Sequence, residues 1–425
     1  MSRDQTAQAI TVHRAPGTEG GLTPTAASRR SFLGTTAAMS CAAAGLVPTG
    51  GLFAAGSERL RIGIVGCGGR GTGAALQAAA ADPAVRVVAL GDVFADQVAS
   101  SAALLAGEIG PQFDCPQGRR FVGEDAYRKV IESGVDIVLL AAPPHVRPLH
   151  LETAVAAGKH VYCEKPVAID AAGVVRAAAA SARGRAAGLA IASGFCFRHD
   201  TVTIEMMSRI HGGAIGRPLA VHAHAAIGLP WRKPVGNGPT EGLGSDGWRL
   251  QNWISFARYS GGHFVEHHVE AIDRALWIFG DVPPVLAVAT AAASGGPTGA
   301  IGDCAAGTAV RYIFADGRTI EASIDRRERS HGSIGEVAIG SAGTCDLVRA
   351  AIAGQQRWAH SGRRNHRHQT SIDRLVGGIL AGRVVNDGDT MCRSTLTAVM
   401  GRMAAAETCR PVAWSEIVGG ASGLA

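Results

Sequence analysis

From Leu60 onward the chain repeats one pattern: a short unbroken apolar run, a glycine- or proline-marked turn, then apolar positions spaced three and four apart. LRIGIV (60–65) reads as a buried strand, GCGGRG (66–71) as a tight loop and TGAALQAAAA (72–81) as a helix. VRVVALGDVF (85–94) reads as a second strand ending in an acid. DIVLLAAPP (136–144) is a further buried strand, LHLETAVAAG (149–158) a helix, and KHVYCEKP (159–166) a strand with its loop. An alanine-rich helix to about Arg185 and the strand GLAIASGF (188–195) follow. Such alternation predicts a Rossmann-type α/β domain with a doubly wound parallel sheet.

After about Phe197 the period changes to two. RPLAVHAHAAIG (217–228) and TAVRYIFADGRTIEASID (308–325) alternate apolar and polar positions, with Asp316-Gly317 as a hairpin turn. An α+β domain with a largely antiparallel open sheet is expected, and helical spacing returns over 371–407. The segment from Pro230 to Trp248 reads as a long loop near a cleft. The predicted organisation is a leader over 1–56, a nucleotide-binding domain over 57–197 and a substrate and oligomerisation domain over 198–425.

A chain of 425 residues has ample material for two cores, and 57 glycines with 5% aromatic residues suit a turn-rich α/β protein. Residues 1–56 hold Arg3, Arg14, Arg29 and Arg30 against Asp4 and Glu19, so the leader contributes part of the formal charge of +6. No helix carries a basic stripe interleaved with aromatics, which argues against a nucleic-acid partner. In SRRSFLGTTAAMSCAAAGL, Arg29-Arg30 precedes Phe32, Leu33 and an apolar run too short and too rich in Gly, Ala and Thr for a stable membrane span. It looks like a twin-arginine export signal, implying a periplasmic or otherwise exported protein handled by that machinery. Cys41 is a weak lipoprotein signal, and the remaining cysteines lack the spacing of a disulfide framework or structural zinc site.

The first loop carries the first chemistry. Gly66, Gly68 and Gly71 have G-x-G-x-x-G spacing between strand and helix, with Cys67, Gly69 and Arg70 completing the loop. Backbone N–H groups and the helix N-terminus there suit a pyrophosphate. Asp92 ends the next strand, where a carboxylate accepts hydrogen bonds from a ribose and repels a 2′-phosphate. NAD is therefore expected over NADP.

At GKHVYCEKPVAID (158–170) the chain resembles the Gfo/Idh/MocA oxidoreductase family, and with GRMAAAETCRPVAW (401–414) its secreted, twin-arginine branch. AAPPHVRPLH (141–150) looks like the family's segment beside the nicotinamide, which places Pro143 and His145 there; Ala142 stands where threonine is common. The resemblance implies that Lys165 is the active-site lysine and Glu164 a cofactor-side residue. It also implies a two-domain build whose C-terminal sheet walls the substrate and often joins subunits, hence a homo-oligomer. The chemistry implied is hydride exchange between NAD and a secondary alcohol of a sugar, polyol or cyclitol. Independently, four lysines stand against 37 arginines. A lysine retained here fits proton transfer, since guanidinium cannot give up its proton.

The segment GGHFVEHHVEAID (261–273) holds three histidines, two glutamates and an aspartate. As a helix it sets 266, 270 and 273 on one face. Against the family motif D-x-G-x-H-x-x-D, Glu266 replaces the aspartate, His268 the glycine and Glu270 the catalytic histidine. Lys165 with Glu270 or Glu266 is the favoured acid/base set, and His268 the second candidate. His263 to His267 also spells H-x-x-E-H, a zinc-peptidase spacing, but a third ligand is wanting and no metal is expected.

Arg198 and His199 should face the domain junction as substrate ligands or as staples. Trp231 and Arg249, with Arg232, Trp248 and Trp253 nearby, would suit a sugar face. His222 and His224 read as sheet-surface residues and RRNHRH (363–368) as a solvated basic loop. The expected function is an NAD-dependent oxidoreductase on CH–OH groups with tightly bound cofactor. The alternatives are an NAD-dependent glycosidase or lyase with transient oxidation and no net redox change, a catalytically inactive NAD- and sugar-binding protein, and a zinc hydrolase.

Overall fold

The computed structural model describes residues 59–231, 244–292, 302–326, 332–406 and 410–418. The Arg29-Arg30 leader and Arg232 lie outside them. The first six strands are β1 (Leu60–Val65), β2 (Val85–Asp92), β3 (Arg120–Val122), β4 (Ile137–Leu140), β5 (His160–Cys163) and β6 (Ile191–Ser193). They form an all-parallel sheet in the order β3-β2-β1-β4-β5-β6. Its centre is apolar on both faces, as in IVLL of β4, because helices cover both sides. Order reverses between β1 and β4, which opens a crevice at their carboxyl ends.

Three helices, α3 (Ala126–Glu132), α4 (Arg147–Ala156) and α5 (Ala171–Ala186), cover one face through Val130, Leu151, Ala154, Val174 and Ala177. On the other, α1 (Gly69–Ala81) and α2 (Ala95–Ile109) pack through Ala74, Ala75, Ala78 and Leu105. The third cover of that face comes from far along the chain. After α6 (Thr201–His211), α7 (Gly244–Gln251), α8 (Ala257–Ser260) and α9 (Val269–Ile278), helix α10 (Arg367–Leu380) returns to the parallel sheet. It buries Ile372, Leu375, Val376 and Ile379 in the same cluster. Ile191 N–H donates to the Val385 carbonyl at 2.7 Å, and Asp387 N–H to the Ile191 carbonyl at 2.8 Å, so the following segment lies along β6.

The second sheet comprises β7 (Pro218–Ala226), β8 (Leu286–Ala292), β9 (Gly307–Ile313), β10 (Thr319–Asp325), β11 (Ser333–Gly340), β12 (Gly343–Asp346), β13 (Ala351–Gly354), β14 (Trp358–Ala359) and β15 (Val412–Ala413). Its order is β14-β13-β12-β11-β7-β10-β9-β8-β15, antiparallel except where β7 pairs with β10. The β9–β10 hairpin turns at Gly317, whose φ of +81° is the conformation glycine permits. Period-two burial in β10 gives one face of Ile320, Ala322 and Ile324 to the core. Packed with that core is α11 (Gly388–Ala404), followed among the described residues by β15 and the short α12 (Trp414–Val418). Among the described residues no helix is long and apolar enough to cross a membrane.

Helix α11 meets β9 at a backbone-to-ring contact. A Cβ on Gly401 would lie 2.1 Å from Tyr312 Oη, which itself donates to the Thr397 carbonyl at 2.9 Å. Tyr312 is fully buried and has no room to yield. Gly401→Ala is expected to destabilise the chain by ~1–3 kcal/mol, the usual range for overpacking, as read by urea denaturation.

Candidate active site

Where β1 ends, Gly66 takes φ +96°, and a Cβ there would lie 2.4 Å from Ala142 N; one on Gly71 would lie 1.9 Å from the Gly66 carbonyl oxygen. These two glycines let the loop close against β4 and start α1. Gly69 has open space where a Cβ would stand, and Gly68 meets only Gln97 Oε1 at 3.9 Å. Helix α1 begins without a side-chain cap, so its first N–H groups face that open surface. The arrangement fits a dinucleotide pyrophosphate.

Asp92 clamps the loop: Oδ2 accepts from Cys67 N–H at 2.7 Å and Oδ1 from Phe94 N–H at 3.0 Å. Burial raises its carboxyl pKa, against the pull of these bonds. Each oxygen keeps a further lone pair for ribose hydroxyls. Burial likewise raises the Cys67 thiol, which packs rather than reacts.

Beyond β4, Pro143 and His145 stand at the same end of the sheet. His145 lies edge-on to Tyr259 at 4.9 Å and is pushed down to about 4, by burial and then by Arg147 and Arg258. Arg147 was invisible to the sequence reading. It donates to the Pro166 carbonyl and, through Nη2, to the Ala142 carbonyl at 2.6 Å, tying the β4 and β5 loops together.

At the end of β5, Glu164 is 5% exposed, with Oε1 3.4 Å from Arg70 Nε. A Cβ on Gly194 would sit 2.5 Å from its Oε2, so only glycine leaves that carboxylate room. Next to it, Lys165 Nζ donates to the Glu266 carbonyl at 2.7 Å and to Glu266 Oε1 at 3.2 Å. Burial alone would lower the lysine pKa, but Glu266, Glu270 and Glu164 together outweigh it and hold the group above its ordinary value. Lys165 is thus an ammonium donor. Glu266 moves the other way from a usual ion-paired acid: burial raises its carboxyl pKa, only partly offset by Lys165 and Arg147. Its Oε2 is buried without a hydrogen-bond partner among the described residues.

The histidine-rich segment is not one regular helix. Gly261 and Gly262 both have positive φ, Phe264–His268 forms a wide π turn, and α9 begins at Val269. The three acids predicted on one face therefore find three surroundings. Glu266 takes Lys165; Glu270 lines a cavity of about 370 Å³ while still acting on the Lys165 charge; Asp273 is buried against Arg198 and accepts from Ser394 Oγ at 2.7 Å. His268 also lines the cavity, tilted against Phe264 at 5.5 Å, and burial pushes it down to about 4, so it is neutral. His263 and His267 have ring centroids 5.8 Å apart and burial lowers both. Among the described residues no group of three or more His, Cys, Asp or Glu is placed to hold a metal.

The structure places the four expected substrate residues away from the cavity, Arg198 in the stapling position that was its alternative. Arg198 bonds Asp273 from Nε at 3.0 Å and Asp281 from Nη2 at 2.6 Å, with its plane over Trp277, so its donors are spent on stapling. His199 offers its carbonyl to Asn365 Nδ2 at 2.7 Å, and its ring feels Asp387 and Arg374 rather than the cavity groups. Trp231 is 51% exposed, and Arg249 pairs at the surface with Asp246. None of the four lines the cavity. Instead Arg364 and Arg367 do, from the run expected to be a solvated loop, with Phe197, His224, Arg274 and Glu336. His368 of the same run sits 3.6 Å from Cys196 Sγ and feels the charges of Arg70 and Lys165. The return of α10 brings that run here, and no local pattern announced it.

Residues 60–188 match the Gfo/Idh/MocA family model, described as an oxidoreductase family with an NAD-binding Rossmann fold. Inositol 2-dehydrogenase 1 of Saccharopolyspora erythraea is 34% identical over 151 residues, covering 32% of this chain and 44% of that protein. The chain thus spans under half the length of the curated relatives it matches. Among solved structures, an aldose-aldose oxidoreductase from Caulobacter crescentus in complex with glycerol aligns at a TM-score of 0.61 and 21% identity, over 84% of this chain and 99% of that one. Levoglucosan dehydrogenase in complex with NADH aligns at 0.62 and 18%, over 84% and 99%. These structural likenesses establish the fold alone: a parallel Rossmann-like sheet of six strands followed by a mostly antiparallel sheet.

The stapling role of Arg198 has a measurable consequence. Arg198→Ala leaves Asp273, 1% exposed, without its guanidinium. Stability should fall by ~3–5 kcal/mol in urea denaturation while the affinity of the folded protein for NAD stays within about twofold; intact stability with lost sugar binding would restore the substrate reading.

Proposed function

We propose that this chain, carrying the Gfo/Idh/MocA match over residues 60–188, is an NAD-dependent oxidoreductase acting on a secondary alcohol of a sugar, polyol or cyclitol. The observation that carries the reading is the position of Lys165. It stands at the end of β5, in contact with Glu266 and under the influence of Glu270 on the cavity wall. The inositol 2-dehydrogenases among its relatives support a polyhydroxylated ring as substrate.

Gly68, Gly69 and the start of α1 would hold the pyrophosphate and Asp92 the adenosine ribose, a carboxylate that disfavours a 2′-phosphate. When bound, the nicotinamide supplies the hydride acceptor or donor. Lys165, held protonated, donates a hydrogen bond to the reacting oxygen and stabilises negative charge developing there. The proton itself passes to a carboxylate. Glu270 is the group on the cavity wall, and Glu266 fixes the lysine. Neutral His268 is left a packing and shaping part. Together with the Arg29-Arg30 leader, a tightly held cofactor suits export of a folded protein; retention of the full-length chain in the cytoplasm would contradict that part.

Glu270→Gln should lower kcat for alcohol oxidation by ~10²–10⁴, with His268→Asn within about fivefold of the parent. Nicotinamide reduction by a panel of polyols and sugars is the readout. Equal losses in the two variants would contradict the carboxylate assignment. The sign of the pH dependence follows from Glu266. Its pKa is raised, so as pH falls it protonates early and the Lys165 pair is lost. The acid limb of the rate profile should therefore lie above the ordinary glutamate value of ~4.3, and Glu266→Gln should change it.

A further inference from the structure

The charges around the cavity are unevenly matched. Arg274, 8% exposed, is neutralised by a two-point ion pair with Glu336, Nε to Oε2 at 2.7 Å and Nη2 to Oε1. Arg364 and Arg367 line the same cavity, and among the described residues neither has a carboxylate partner, although most arginines around them are paired. Arg367 is also held in place. Its guanidinium lies over the Phe197 ring at 4.3 Å, and Arg274 lies over the same ring at 3.8 Å. Arg367 is moreover the first residue of the fourteen-residue α10, whose N-terminus has no side-chain cap, so the helix adds positive potential at the same place.

We propose that Arg364 and Arg367 bind an anionic substituent of the substrate, a carboxylate or phosphoryl group on a sugar or cyclitol ring. This rests on the reading of the cavity as the substrate pocket of an oxidoreductase. Guanidinium groups offer paired N–H donors that match both anions, and a ring-stacked one loses little freedom on binding. The sign of the cavity supports the assignment. Among the described residues its one acid without an ion pair is Glu270, given to the reacting hydroxyl, whereas Arg364 and Arg367 beside the helix end have no carboxylate at ion-pair distance. A neutral polyol would need hydroxyl acceptors at that place but no such excess of positive charge. An anionic ring would be drawn to the arginines and repelled from Glu270, which favours one orientation in the pocket.

The test is calorimetric titration of the protein loaded with NAD, using D-glucuronate, glucose 6-phosphate, D-glucose and myo-inositol as probes. At low salt at least one anionic probe should bind about tenfold or more tightly than glucose, with the advantage shrinking as salt rises. Arg364→Gln and Arg367→Gln should each weaken that anion by about tenfold and leave glucose unchanged, and Arg367→Lys should recover part of the loss. Preference for glucuronate assigns a carboxylate, and preference for the phosphate ester a phosphoryl group. Equal affinity for neutral and anionic probes, absence of binding by every probe, or unchanged anion binding in the folded double variant would overturn the proposal. Nicotinamide reduction is recorded on the same samples. Arginine-dependent anion binding without reduction keeps the anion site and counts against the oxidoreductase, whereas reduction by neutral rings alone does the reverse.

Discussion

A buried ammonium surrounded by acids is the interaction on which the rest of this structure depends. Lys165 lies where three carboxylates, Glu164, Glu266 and Glu270, raise its affinity for a proton against the opposing cost of burial. One cation does not balance three acids in a place so poor in water. Arg70 beside Glu164, and Arg147 acting on both Glu164 and Glu266, supply the remaining charge while tying the glycine loop and the β4 and β5 loops into one unit. The glycine loop and the Lys165 cluster therefore share one electrostatic network, and each constrains the position of the other.

That network requires two breaks in regular structure. Gly194 yields space to Glu164, and the π turn over Phe264–His268 widens the entry to α9 so that Glu266 reaches Lys165 while Glu270 lies on the cavity wall. Regular α-helical spacing would have stacked both acids and Asp273 on one strip. Separation gives the three acids different surroundings: Glu266 pairs with Lys165, Glu270 lies on the cavity wall, and Asp273 anchors Arg198 in the core.

The parallel sheet was legible because each signal was local. LRIGIV, the glycine loop and Asp92 lie within one βαβ unit, and their spacing alone sets their geometry. The E-K-P segment was reached instead through its resemblance to a known family. The cavity wall was not. Arg364, Arg367 and His368 lie about two hundred residues from β5, and only the return of α10 to the parallel sheet, through Ile372, Leu375 and Val376, sets them there. For Arg198 both a ligand and a staple were open, because its partners, Asp273 within α9 and Asp281 just past it, are linked to it by no short-range pattern. The π turn, too, has no period of its own to read.

The most direct test is titration of the Lys165 side-chain nitrogen by NMR, which four lysines in the whole chain make assignable with lysine labelled in ¹⁵N. The account predicts an ammonium that titrates above the ordinary lysine value of ~10.4, with Glu266→Gln and Glu270→Gln each lowering it. A Lys165 signal that titrates below that value, or that responds to neither substitution, would contradict it.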